Sequence, residues 1–188
     1  SDAYALARAR MLPATRFLSL ARAYQQENNY SVWADLAGNL RQMDFLLSNK
    51  RYHSKFQAFG QDLLKPIARK MGWDAKPGEG HLQSLLRSTV LGQFGAFGDE
   101  ETLKEARGRF QRFLDVPTSL LPDLRSVVYS LAAQTGDKAT HDTLRRLVKE
   151  AALQEEKLRL HFALARFSQR QLLETTLELS LSPEVRTQ

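Results

Sequence analysis

The chain has 188 residues, 43% of them hydrophobic, which suits the core of one ordinary domain. It has no cysteine, which excludes disulfides and thiolate chemistry, and no apolar run approaching the ~20 residues that cross a bilayer. Its 27 basic against 21 acidic side chains give +6, but Arg8, Arg10, Arg16, Arg22 and Arg41 are scattered among apolar positions, so no nucleic-acid partner is expected.

Apolar residues recur at helical spacing along nearly the whole chain, as at Phe17, Leu18, Ala21 and Tyr24, or Leu103, Ala106, Phe110 and Phe113. The spacing predicts about nine or ten helices, over 1–11, 13–26, 31–48, 51–71, 79–96, 99–114, 121–135, 137–151, 154–166 and 168–181. The opening Ser1-Asp2-Ala3-Tyr4 lacks a signal-peptide layout and reads as the middle of a helix, so the natural N-terminus is expected upstream. Pro13 opens the second segment, Ser31 caps the third, and Gly72 closes the fourth. Pro66 falls within that fourth helix, where it removes a backbone donor and is expected to kink it, since the apolar spacing continues through Ile67 and Met71. Pro122 and Pro183 open later segments.

An internal repeat organises the later half. Leu86-Arg87-Ser88-Thr89-Val90 recurs as Leu124-Arg125-Ser126-Val127-Val128, and Gly98-Asp99 recurs at the same offset as Gly136-Asp137. In each copy glycine ends one helix and aspartate caps the next, accepting its free amide hydrogens. Leu158-Arg159 with Ser168 reads as a third, shorter copy. A period near 40 residues predicts an all-α fold of the HEAT or armadillo kind, a right-handed α-α superhelix of stacked antiparallel helix pairs forming one domain over 1–188.

Reactive constellations are missing from the sequence. His53, His81, His141 and His161 are too far apart for a helical metal pair, and neither H-E-x-x-H nor a G-x-S-x-G nucleophile elbow occurs. Glu155 and Glu156 are sequence neighbours that point to different parts of a helix, and they complement its positive start rather than forming an acid–base pair. The Gly92 to Gly98 stretch lacks the preceding strand and the G-K-[ST] ending of a phosphate loop, and Trp33 and Trp73 read as packing anchors. The candidate site residues are Arg87 and Arg125, each following a core leucine in its repeat, together with Tyr129. A planar five-donor side chain there either braces successive repeats or meets a peptide or neighbouring domain.

Five blocks carry a family likeness: Ser1 to Ala9, Asn29-Tyr30-Ser31-Val32-Trp33, the loop and helix from Met71-Gly72-Trp73 to Leu91, Asp123 to Tyr129, and Gln154-Glu155-Glu156-Lys157 with the closing Leu181 to Arg186. In this order they resemble the C-terminal helical domain of the puromycin-sensitive aminopeptidase family, gluzincin-type zinc exopeptidases. Ala75 departs from the family, which tends to have proline there. The resemblance implies a full-length zinc metallo-aminopeptidase whose zinc, two histidine and one glutamate ligands and general base all lie outside these residues. It implies peptide substrates, the catalytic domain of the same polypeptide as partner, a cytoplasmic location consistent with the lack of cysteine, and a chamber-walling role for this piece, which alone is expected to be inactive. A noncatalytic helical-repeat scaffold for protein partners is the alternative.

Overall fold

A computed structural model of the chain describes residues 2–182 and 185. Among them there are ten α-helices, one 3-10 turn and no strand, an all-α fold in the order the apolar spacing predicts. The chain forms two compact units, Ser1–Asp99 and Glu100–Gln188.

The first unit holds α1 (Asp2–Arg8), α2 (Ala14–Ala23), α3 (Tyr30–Leu47), α4 (His53–Met71) and α5 (His81–Ala96). Helix α5 packs on both α3 and α4, and α1 packs on α2. Phe17, Trp33, Leu40, Leu63, Leu64 and Val90 are buried between them, and the Trp33 indole donates to the Glu27 carbonyl at 2.9 Å.

The N-cap of α3 is Asn29, whose side chain accepts from the Ser31 amide at 2.8 Å. Ser31, the expected cap, is therefore the capped residue. Helix α4 runs unbroken through Pro66. The carbonyl that a residue at 66 would ordinarily satisfy is that of Asp62, and it accepts instead from Gln25 Nε2 at 3.0 Å. Gly72 ends α4 with φ 61°, as the sequence expects. Gly60 is required for a different reason: a Cβ there would lie 2.4 Å from the buried Phe97 ring. That ring also stands edge-on to Phe56, at 5.8 Å between centroids.

The second unit holds α6 (Glu100–Asp115), α7 (Pro122–Gln134), α8 (Lys138–Glu150), α9 (Gln154–Leu164) and α10 (Arg170–Ser180). Helix α7 packs on α6 and α9, and α9 packs on α8. Phe110, Tyr129, Leu131, Leu144, Leu160 and Leu164 form its core. A 3-10 turn, Pro117–Ser119, joins α6 to α7 in the stretch between the helices predicted over 99–114 and 121–135. Pro117 sets the φ of its first residue, a local signal the apolar spacing does not carry.

The two glycines of the repeat serve different ends. Gly98 takes φ 91°, a left-handed conformation that favours glycine. Gly136 is absent from the positive-φ positions, but a Cβ there would come within 2.9 Å of the Ala132 carbonyl oxygen. Asp137 caps α8 as expected, accepting from the Thr140 amide at 2.9 Å. Leu86 and Leu124 are buried, whereas Leu158 of the shorter third copy is 37% exposed, so that copy lacks the core leucine of the other two. Ser1 and Pro183 lie outside the described residues.

Candidate functional site

Arg87 and Arg125 occupy the same slot in the sequence repeat and meet different surroundings. Arg87, on α5, is 2% exposed. Its Nε donates to the Gly72 carbonyl at 3.1 Å, and one Nη donates to the Glu79 carboxylate at 2.7 Å. The guanidinium thus closes the C-terminal end of α4 and pins the loop between α4 and α5. The Glu79 carboxyl is held below the usual carboxylate range, first by the Arg87 hydrogen bond and then by the Lys76 backbone. With its donors engaged inside the first unit, Arg87 is a brace.

Arg125 and Tyr129 lie one turn apart on α7 and meet α9 at Glu156. The Tyr129 hydroxyl donates to Glu156 Oε1 at 2.6 Å, and Arg125 Nη1 stands 3.3 Å from the same oxygen. Arg159, one turn along α9, donates to Glu156 Oε2 at 3.0 Å and also pairs with the exposed Glu155. Burial alone would raise the Glu156 carboxyl, but the Tyr129 hydroxyl and the two guanidinium groups outweigh it and hold the pKa below the ordinary value. The Tyr129 phenol is pushed upward by burial and by the carboxylate it serves. It is a hydrogen-bond donor throughout the physiological range.

This network forms one wall of a cavity of about 310 Å³. Phe113, Leu147, Leu153 and Leu160 supply its apolar walls, and Leu153 stands 71% exposed at the rim. The Arg125 guanidinium lies 5.4 Å from the centre of the Phe113 ring, within cation–π range. Its Nε is buried and has no hydrogen-bond partner. The sequence reading picked out Arg125 and Tyr129 but assigned Glu156 only to the helix dipole. The Glu156–Arg159 spacing on one helix face was the available signal for its role as the hub.

Two of the histidines have structural contacts. His53 Nε2 lies 2.7 Å from Asp44 Oδ1, joining the ends of α3 and α4. His141 on α8 is 1% exposed, lies 3.1 Å from the Thr176 hydroxyl of α10, and stands edge-on to Phe167 at 5.1 Å. Burial, followed by the nearby Arg145, lowers its pKa despite Asp142. The folded state therefore favours neutral imidazole, and the stability it contributes is present above the unfolded value of about 6.5 and is lost as pH falls through the lowered folded value. Thermal unfolding of the second unit is expected at a lower temperature at pH 5 than at pH 7.5, with His141→Gln removing part of that slope. An unchanged slope in the variant would assign the dependence to other groups. No group of three or more His, Asp or Glu side chains among the described residues is placed to hold a metal ion.

The model of the ERAP1-like C-terminal domain family matches residues 1–188. Aminopeptidase M1-A of Oryza sativa subsp. japonica is 38% identical over 195 residues, covering all of this chain and 22% of its own length. Aminopeptidase M1 of Arabidopsis thaliana is 36% identical over all of this chain and 22% of its own. Glutamyl aminopeptidase of Sus scrofa is 31% identical over 98% of this chain and 20% of its own. The chain thus spans about a fifth of the length of these curated relatives.

Proposed function

Since the chain belongs to the ERAP1-like C-terminal domain family, we propose that it is the helical part of a zinc-dependent aminopeptidase, shaping and closing the chamber in which peptides lose their N-terminal residues. The observation that carries this reading is the continuous family match over every residue of an all-helical chain, in relatives named aminopeptidases. Among the described residues no cluster of His, Asp or Glu is placed to hold zinc, and in this reading the metal and the groups that activate water lie elsewhere in the longer polypeptide. No step of the hydrolysis is assigned to Arg87, Arg125 or Tyr129.

The contribution of these helices is mechanical and steric. Stacked helices are stiff within a unit, and a domain joined to its neighbour by a modest interface moves as a body. Such movement admits a peptide, closes over it and limits the length that fits. The catalytic domain of the same polypeptide is the partner, and peptides are the substrates.

Expression of the isolated chain beside the full-length polypeptide tests the assignment. With zinc and an aminoacyl chromogenic substrate, the full-length protein is expected to turn over and to lose activity to a chelator. The isolated chain is expected to match a heat-denatured control. Turnover by the isolated chain, or a full-length protein inert in zinc, would overturn the reading.

A further inference from the structure

The turn between α3 and α4 holds apolar and basic side chains out of the first unit. Phe45 is 79% exposed, Leu46 61% and Tyr52 48%. Lys50 and Arg51 on the same turn, and Lys55 at the start of α4, are exposed as well. We propose that this turn docks on an anionic lipid surface, its apolar side chains sinking among the headgroups and its cations meeting the lipid phosphates.

The local structure fixes the cluster in place. The Ser48 and Lys50 amides donate to the Phe45 and Leu47 carbonyls at 3.3 and 2.8 Å, and the His53 amide donates to the Lys50 carbonyl at 2.9 Å. Asp44 is the only carboxylate from Arg41 to Lys55, and His53 occupies it at 2.7 Å. Lys50, Arg51 and Lys55 form no ion pair with a carboxylate among the described residues.

Side chains that stand this far out do not line a groove, so covering them takes either a soft apolar medium or a hollow in a partner. The charge decides between the two. A protein laid over the turn would desolvate three cations for which this unit supplies no counter-charge, whereas an anionic lipid layer offers phosphates beside its apolar phase at every position. Tyr52 suits the same boundary, with an apolar ring and a polar hydroxyl. Among the described residues no helix is long and apolar enough to cross a membrane, so the contact is peripheral. The inference rests on this turn and is independent of the aminopeptidase reading.

Co-sedimentation of the full-length polypeptide with lipid vesicles tests it. Vesicles of mixed phosphatidylcholine and phosphatidylserine should carry the protein down, and phosphatidylcholine alone should not. Binding should fall about fivefold in each of Lys50→Gln and Arg51→Gln, a factor equivalent to the ~1 kcal/mol a basic residue gains near an anionic surface. It should fall at least about tenfold in Phe45→Ser, which removes a large apolar side chain. Leu177→Ser, at an exposed leucine of α10, should bind like the natural sequence. No sedimentation, equal sedimentation with both vesicles, or binding unchanged in Phe45→Ser would each overturn the proposal. So would a lowered melting temperature of full-length Phe45→Ser, which would seat the turn against another part of the polypeptide, or an altered oligomeric state, which would seat it against a second copy.

Discussion

Glu156→Gln is expected to destabilise the second unit by about 2–3 kcal/mol, less than the ~3–5 kcal/mol for removing one partner of a fully buried ion pair, because this cluster is partly hydrated. The glutamine removes the negative charge shared by Arg125 and Arg159, and leaves two half-buried cations facing each other across α7 and α9. It also weakens the 2.6 Å hydrogen bond from the fully buried Tyr129. Tyr129→Phe, which removes only the hydroxyl, is expected to cost less, about 1.5–2 kcal/mol for a hydrogen bond to a charged group. Because both act on one network, the double variant should fall short of the sum. Chemical denaturation with a probe in the second unit measures all three. Strict additivity would show that Tyr129 and Glu156 act independently. The lowered Glu156 pKa adds a pH signature: its stabilisation is present above the ordinary glutamate range and is lost as pH falls through the lower folded value. In Glu156→Gln that part of the acid sensitivity should vanish.

Arg87→Met is expected to have a comparable effect on the first unit. Methionine keeps an apolar stem of similar reach but strands the Gly72 carbonyl and the Glu79 carboxylate. The loss of a partner for this part-buried carbonyl is at the low end of the ~1–3 kcal/mol that an unsatisfied buried group costs. The loop between α4 and α5 should also loosen, since Arg87 ties Glu79 to the end of α4. Hydrogen exchange should speed up over residues 73–80 while the amides of α3 remain protected. A variant with native melting temperature and native exchange in that loop would contradict the bracing role.

The contrast between the two arginines marks how far the sequence can be read. The apolar period locates all ten helices, because burying one face of a helix needs only local spacing. It also identifies Leu86 and Leu124 as core residues correctly. The repeat suggests that Arg87 and Arg125 are equivalent, yet the acceptor for one comes from the preceding loop and for the other from α9. Partners of that kind depend on which elements meet in space, which neither spacing nor residue type encodes. Helix ends are lost for a related reason. Asn29 and Ser31 are both good caps in isolation, and the choice between them depends on where the chain turns to bury Trp33. Pro66 reads as a break in donors, but its compensation by Gln25 depends on the meeting of two helices remote in sequence.

The proposed chamber role is tested most directly by kcat/KM for the full-length polypeptide across substrates from a single aminoacyl group to long peptides, comparing the natural sequence with Arg125→Ala after folding is checked by circular dichroism. A helical wall that shapes the chamber predicts a loss that grows with peptide length and leaves the shortest substrate nearly unaffected. An equal loss at every length would point to a structural effect on the metal centre. No loss at any length would leave Arg125 without a part in peptide handling, and either result contradicts the account.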